Sequence, residues 1–166
     1  PIQLRYNSGQ HISHNGRELS LQLERLLAQW PSAIESISVV AHSMGGLAVR
    51  AWLRQYQGDE RIHAVLTVGS PHHGTRLGRF GLWANTRQMR ELSAWLCRLA
   101  ADEPAQRYRR FTCFYSHCDN IAMPASTGAL PGADNRHIEG VPHVALAYAP
   151  QVWAEVMRRV KADQKV

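Results

Sequence analysis

Apolar residues recur along the chain in two rhythms, and the alternation between the rhythms predicts its architecture. Ile2-Gln3-Leu4-Arg5-Tyr6 alternates apolar and polar side chains, the period of a short strand. Asn15 and Glu18 have the spacing of a capping box, so a helix is expected to open there. It would carry Leu19, Leu23, Leu26, Leu27 and Trp30 on one face and stop at Pro31. A second strand is expected at about 36–42, followed by a helix over 44–56 that turns Leu47, Ala51, Trp52 and Tyr56 inward and ends at Gly58. Ile62–Val68 is nearly all apolar and reads as a buried strand. A polar, helical stretch runs from about 72 to 106, and Phe111–Tyr115 returns as a strand. A short strand near 135–139 and an amphipathic helix from Pro150 to about 162 complete the chain.

Strands alternating with helices imply an α/β fold with a mostly parallel sheet and helices on both of its faces. In such sheets chemistry gathers at the carboxyl ends of the strands. The 166 residues suffice for one domain with a real core, and no repeat or low-complexity tract divides them. No apolar run approaches the ~20 residues that span a bilayer, and no secretory signal is expected at the start. The first residue is Pro1 and not methionine, so whatever preceded it is expected to have been removed; the compartment is left open between cytoplasmic and, if an upstream signal was removed, secreted or periplasmic. The formal charge of +6 is scattered, with its densest cluster at 107–110, which reads as a solvated face and not as a nucleic-acid surface. Three cysteines lack metal-ligand spacing, and reduced core thiols are the expected state.

One octet stands out chemically. Val39-Val40-Ala41-His42-Ser43-Met44-Gly45-Gly46 is an apolar strand that ends in a serine among small residues and then opens a helix. That is the context of a nucleophile elbow with Ser43 at the tip. Small neighbours have a steric reason, since bulk beside the strained turn would strike the adjacent strand or helix. Gly45 fits the second glycine of the G-x-S-x-G pattern, and Ala41 stands in place of the first.

Three stretches together are more specific: Ala41–Leu47 (A-H-S-M-G-G-L), Val68–Thr75 (V-G-S-P-H-H-G-T), and S-H-C-D-N at 116–120 followed by G-V-P-H-V at 140–144. The chain thereby resembles bacterial lipases and esterases of the α/β-hydrolase superfamily. The resemblance implies a serine, an acid and a histidine in that chain order. It also implies that residues 2–6 form the fourth family strand, that the first three are absent, and that 76–106 occupies the place of a cap or lid. No H-G-type segment upstream of Ser43 fits the second oxyanion donor.

A serine hydroxyl needs a base. His42 adjoins Ser43 but points to the opposite face, His72 and His73 are expected to shape the site floor, and His137 lies within a strand. His143, in a loop before the last helix, can reach the sheet edge and matches the family's base. Asp119 is placed to orient it, with Asp134 the alternative in turn-like sequence. The N–H of Met44, at a helix start, is the expected oxyanion donor. Leu77, Phe80, Trp83 and Met89 are expected to offer an apolar wall to an acyl chain, or else to belong to a helix pair that closes the core.

The expected activity is hydrolysis of a small-molecule or lipid carboxylic ester through an acyl-enzyme, with no cofactor or metal. An acyltransferase or thioesterase using the same groups, and a non-catalytic binding module on the same fold, are the alternatives. With the family's third strand absent, the edge beside Val39–Ala41 would be open. Residues 2–6 are expected to move into that place, or a second copy of the chain to pair there. With one oxyanion donor, turnover would be weak.

Overall fold

The computed structural model describes residues 1–55, 61–81 and 83–163. Four parallel strands form a sheet in sequence order: β1 (Ile37–His42), β2 (Ile62–Val68), β3 (Phe111–Tyr115) and β4 (Asp134–His137). The register runs from Ser38 opposite Ala64 to His42 opposite Val68, so the carboxyl ends of β1 and β2 are level. Val68 pairs with Phe114, and Tyr115 with His137, which carries the same edge across the sheet. The apolar run of β2 is accounted for by its position, between two neighbours and covered on both faces.

Helices α1 (Ile12–Gln29) and α2 (Gly45–Gln55) cover one face. There Leu19, Leu23, Trp52 and Leu53 pack on Ala41, Val65, Phe111 and Cys113. The short α5 (His143–Leu146) and the longer α6 (Pro150–Asp163) cover the other, through Leu146, Ala149 and Val152 against Leu66, Val68 and Phe114. Between β2 and β3 the chain breaks into short pieces: a 3-10 turn at Arg76–Arg79, α3 (Ala84–Gln88), α4 (Ala94–Ala101) and a second 3-10 turn at Ala105–Arg110. Leu96 and Leu99 of α4 close a third cluster with Ile12, Leu47 and Ala48. No helix among the described residues is long and apolar enough to cross a membrane.

Several expectations are corrected. Residues 2–6 form no strand, and among the described residues β1 has a neighbouring strand on one side, β2. Their backbone lies instead against α1, where Gln22 Nε2 donates to the Arg5 carbonyl at 2.7 Å, and Leu4 packs on the core. Helix α1 begins three residues before Asn15, with His11 at its cap position and no side-chain cap. Its first N–H, from Ile12, donates to Gln88 Oε1 of α3 at 2.5 Å, so a distant residue does the work expected of a local cap. Asn15 and Gly16 are instead the point where α1 meets α2, since a Cβ on Gly16 would come within 2.9 Å of Ala51 Cβ. Trp30 sits past the end of α1 and is 42% exposed. The stretch at 72–106 is not one long helical segment. Of the three free cysteines only Cys113 is in the core, where burial pushes its thiol up to about 11. Tyr56 and Gly58 lie outside the described residues.

Candidate active site

Ser43 follows β1 in the left-handed region, with φ of 55°, a conformation that side-chain-bearing residues seldom adopt. The turn is held from both sides. Ser43 N–H donates to the Val68 carbonyl at 2.8 Å, and its own carbonyl accepts from Gly46 N–H at 3.2 Å. Gly46 is where close approach is needed: a Cβ there would lie 2.3 Å from Ser70 Oγ and 2.7 Å from Ser70 Cβ. Gly45, the glycine singled out by the motif, would meet nothing closer than 3.6 Å.

The Ser43 hydroxyl donates to His143 Nε2 at 2.9 Å. On the far side of the ring, His143 Nδ1–H donates to Asp119 Oδ2 at 2.8 Å and Oδ1 at 3.0 Å. A carboxylate only accepts, so it holds the proton on Nδ1 and leaves the Nε2 lone pair facing the serine. Asp119 and His143 are both buried. Burial pushes the Asp119 carboxyl up, but hydrogen bonds from His143 and from the N–H groups of Ile121 and Ala122, each 2.8 Å from Oδ1, outweigh it and hold the carboxyl below its ordinary value. The acid is thus an ionised acceptor. In such a chain of groups the imidazole can take the hydroxyl proton as the oxygen attacks, and the carboxylate stabilises the resulting cation.

Met44 N–H stands at the entry to α2, among the N–H groups that a helix start leaves without intrahelical acceptors. Asp134 is elsewhere: it opens β4, is exposed, and pairs with Arg136 at 2.7 Å. Of the four apolar candidates, Phe80 and Trp83 project into solvent, Leu77 is partly exposed, and Met89 packs, as Met44 does, against the cluster of Ile12, Leu47 and Leu99.

His72, His73, His117 and His137 have structural partners. His72 is buried with Nε2 3.0 Å from Thr67 Oγ1, and burial together with Arg50 holds its pKa well below the ordinary value. Its carbonyl accepts from Arg50 Nη1 at 2.7 Å, while the same guanidinium is paired with buried Glu103. His73 Nε2–H donates to the Ala129 carbonyl at 3.0 Å. His137 and His117 stack, with 2.9 Å between ring nitrogens. Among the described residues no group of three or more histidine, cysteine or acidic side chains is arranged to hold a metal ion.

Two contributors escaped the sequence reading. Gly69, in the left-handed region at φ 58°, passes so close to the Asp119–His143 contact that a Cβ would lie 2.9 Å from Asp119 Oδ2 and 3.1 Å from His143 Nδ1. A glycine directly after a nearly all-apolar strand was the available signal. His42, set aside as a base, supports the histidine instead: its Nε2–H donates to the His143 carbonyl at 3.1 Å and its ring lies 4.7 Å from that of His143.

The same fold occurs in known hydrolases. The mature form of the Bacillus licheniformis lipase BlEst2 matches 93% of this chain and 76% of its own, with a TM-score of 0.75 at 14% identity. Aspergillus fumigatus lipase B matches 89% of this chain with a TM-score of 0.72 at 18% identity, and the chain spans 41% of its length. Phospholipase PlaB from Legionella pneumophila matches 82% with a TM-score of 0.53 at 15% identity, over 28% of its length. At these identities the likeness establishes an α/β-hydrolase-type fold. The family model of the PGAP1-like alpha/beta domain matches residues 7–117, well over half of the 166. The chain belongs to the family of the PGAP1-like alpha/beta domain.

Proposed function

We propose that the chain is a carboxylic-ester hydrolase of the lipase and esterase kind. The observation that carries this reading is the unbroken line from Ser43 Oγ through His143 to Asp119, with both contacts within 3 Å. Ser43 attacks the ester carbonyl while His143 Nε2 accepts its proton. The tetrahedral intermediate places its negative oxygen near Met44 N–H, and collapse expels the alcohol, protonated by His143. Water, deprotonated by the same imidazole, then releases the acid from the acyl-enzyme. Asp119 keeps His143 in the productive tautomer throughout.

The names of the structurally similar proteins, two lipases and a phospholipase, favour a lipid-derived ester. Residues 76–106 would act as a cap over the serine. Met89, which packs against the same core cluster as Met44, is the candidate best placed to line an acyl path. Hydrolysis of p-nitrophenyl esters of increasing acyl length tests the reading. Ser43→Ala is expected to lower kcat by about 10⁴-fold or more at every length. An unchanged rate in that variant would reject the assignment.

A further inference from the structure

The excursion between β2 and α4 presents a surface that the chemistry at Ser43 does not use. Phe80, Trp83 and Leu92 are 83%, 72% and 86% exposed, although each is large enough to anchor a core. Helix α3 buries none of its residues. Between these apolar side chains stand arginines. Arg79 and Arg87 are exposed, and neither meets a carboxylate among the described residues. Arg76 and Arg90 frame the same excursion, Arg76 lying 3.6 Å from Glu91 and Arg90 donating to the Gly78 carbonyl at 3.0 Å. Glu91 is the one acid between residues 76 and 92.

The excursion is nonetheless anchored. Thr75 N–H donates to the Met89 carbonyl at 2.7 Å, Gly78 packs on Arg90, and Asn85 Nδ2 reaches Met44 Sδ at 3.7 Å. These contacts hold the described residues on either side of Phe80 and Trp83 to one another, and Asn85 to the residue that follows Ser43.

We propose that this surface docks the protein on an anionic lipid bilayer, with Phe80, Trp83 and Leu92 entering the interface and Arg79 and Arg87 engaging lipid phosphates. Aromatic and aliphatic side chains favour the boundary between headgroups and acyl chains, and cations beside them add attraction to acidic lipids. The excess of arginine over acid selects a negatively charged occupant, and the protruding apolar side chains select one with an apolar interior. The docking stands on surface chemistry alone and does not depend on ester hydrolysis.

The test uses the 166-residue Ser43→Ala chain, so that no lipid is consumed, and vesicles of phosphatidylcholine with or without phosphatidylglycerol. Co-sedimentation with the anionic vesicles is expected, weakening with added salt. Arg79→Gln combined with Arg87→Gln should weaken it about 25-fold, near fivefold for each arginine. Phe80→Ser with Trp83→Ser should abolish it while the circular dichroism and thermal transition stay unchanged. Bromine-labelled acyl chains should quench tryptophan emission, and Trp83→Phe should remove that quenching, which separates Trp83 from the exposed Trp30 and Trp153. Absence of binding to anionic vesicles would overturn the proposal, as would binding that survives the double serine variant. Self-association through this face, lost on Trp83→Ser and unaccompanied by vesicle binding, would overturn it in favour of a contact between copies.

Discussion

Strands β1 and β2 are hydrogen-bonded neighbours, yet the sheet treats them differently. Six of the seven residues of β2 are buried, whereas of the six in β1 only Ala41 is. Ser43 hangs from the poorly covered strand, and its partners come from loops on the well-covered side of the sheet. A site spread across such a difference cannot draw its geometry from core burial alone. It is cross-braced: Ser43 N–H to Val68, His42 to the His143 carbonyl, Gly46 against Ser70, Asp119 to two backbone N–H groups. These braces, more than the packing of β1, hold the serine against the histidine.

The covered side is where disruption should cost most. Asp119→Asn keeps the shape but lets His143 present the wrong nitrogen, and kcat for ester hydrolysis should fall by about 10⁴-fold with the fold intact. A loss below tenfold would mean that the carboxylate does not set the tautomer. Gly69→Ala comes next, because its added methyl meets both Asp119 and His143 in a backbone conformation that alanine resists. A displacement of the pair by about 1 Å should cost roughly 10²-fold in kcat, with the melting transition lowered modestly.

Acid should reveal what fastens α6 to the covered side. Hydrogen bonds from Arg158 first, then from Arg159 and Arg136, hold the Glu155 carboxyl at about 2 against an ordinary 4.5. The folded value is the lower one, so this contribution to stability is complete above about 4.5 and is lost as pH falls toward about 2. Urea unfolding at stepped pH should show that loss, and Glu155→Gln should flatten it. On the open side, Val40→Lys should change stability by less than about 0.5 kcal/mol, because the side chain is already 45% exposed. We propose a second copy of the chain as what covers this edge, and the same variant should then abolish any dimer seen by sedimentation. A dimer that persists would place the contact elsewhere.

The contrast between the strands also explains what the sequence disclosed. Strands β2 and β3 could be read to the residue, because burial on both faces forces an apolar run with sharp ends. Residues 2–6 alternate as a strand does, but a strand needs a partner, and its pairing depends on groups remote in sequence. Asn15 and Glu18 have capping spacing, yet the helix start is met by Gln88, some seventy residues away. That Ser43, Asp119 and His143 would meet was legible because few residue types suit such chemistry and because their order is the one the family resemblance implies. Gly69 was not, since its requirement comes from two side chains that only the fold brings beside it.

The most direct test of the account is covalent. A fluorophosphonate should label the native chain once, at Ser43 by peptide mapping, since among its serines this one combines a strained turn with a base 2.9 Å away. Labelling should disappear in Ser43→Ala and slow sharply in His143→Ala while both variants remain folded. A label found on another serine, or undiminished labelling of folded Ser43→Ala, would contradict the account.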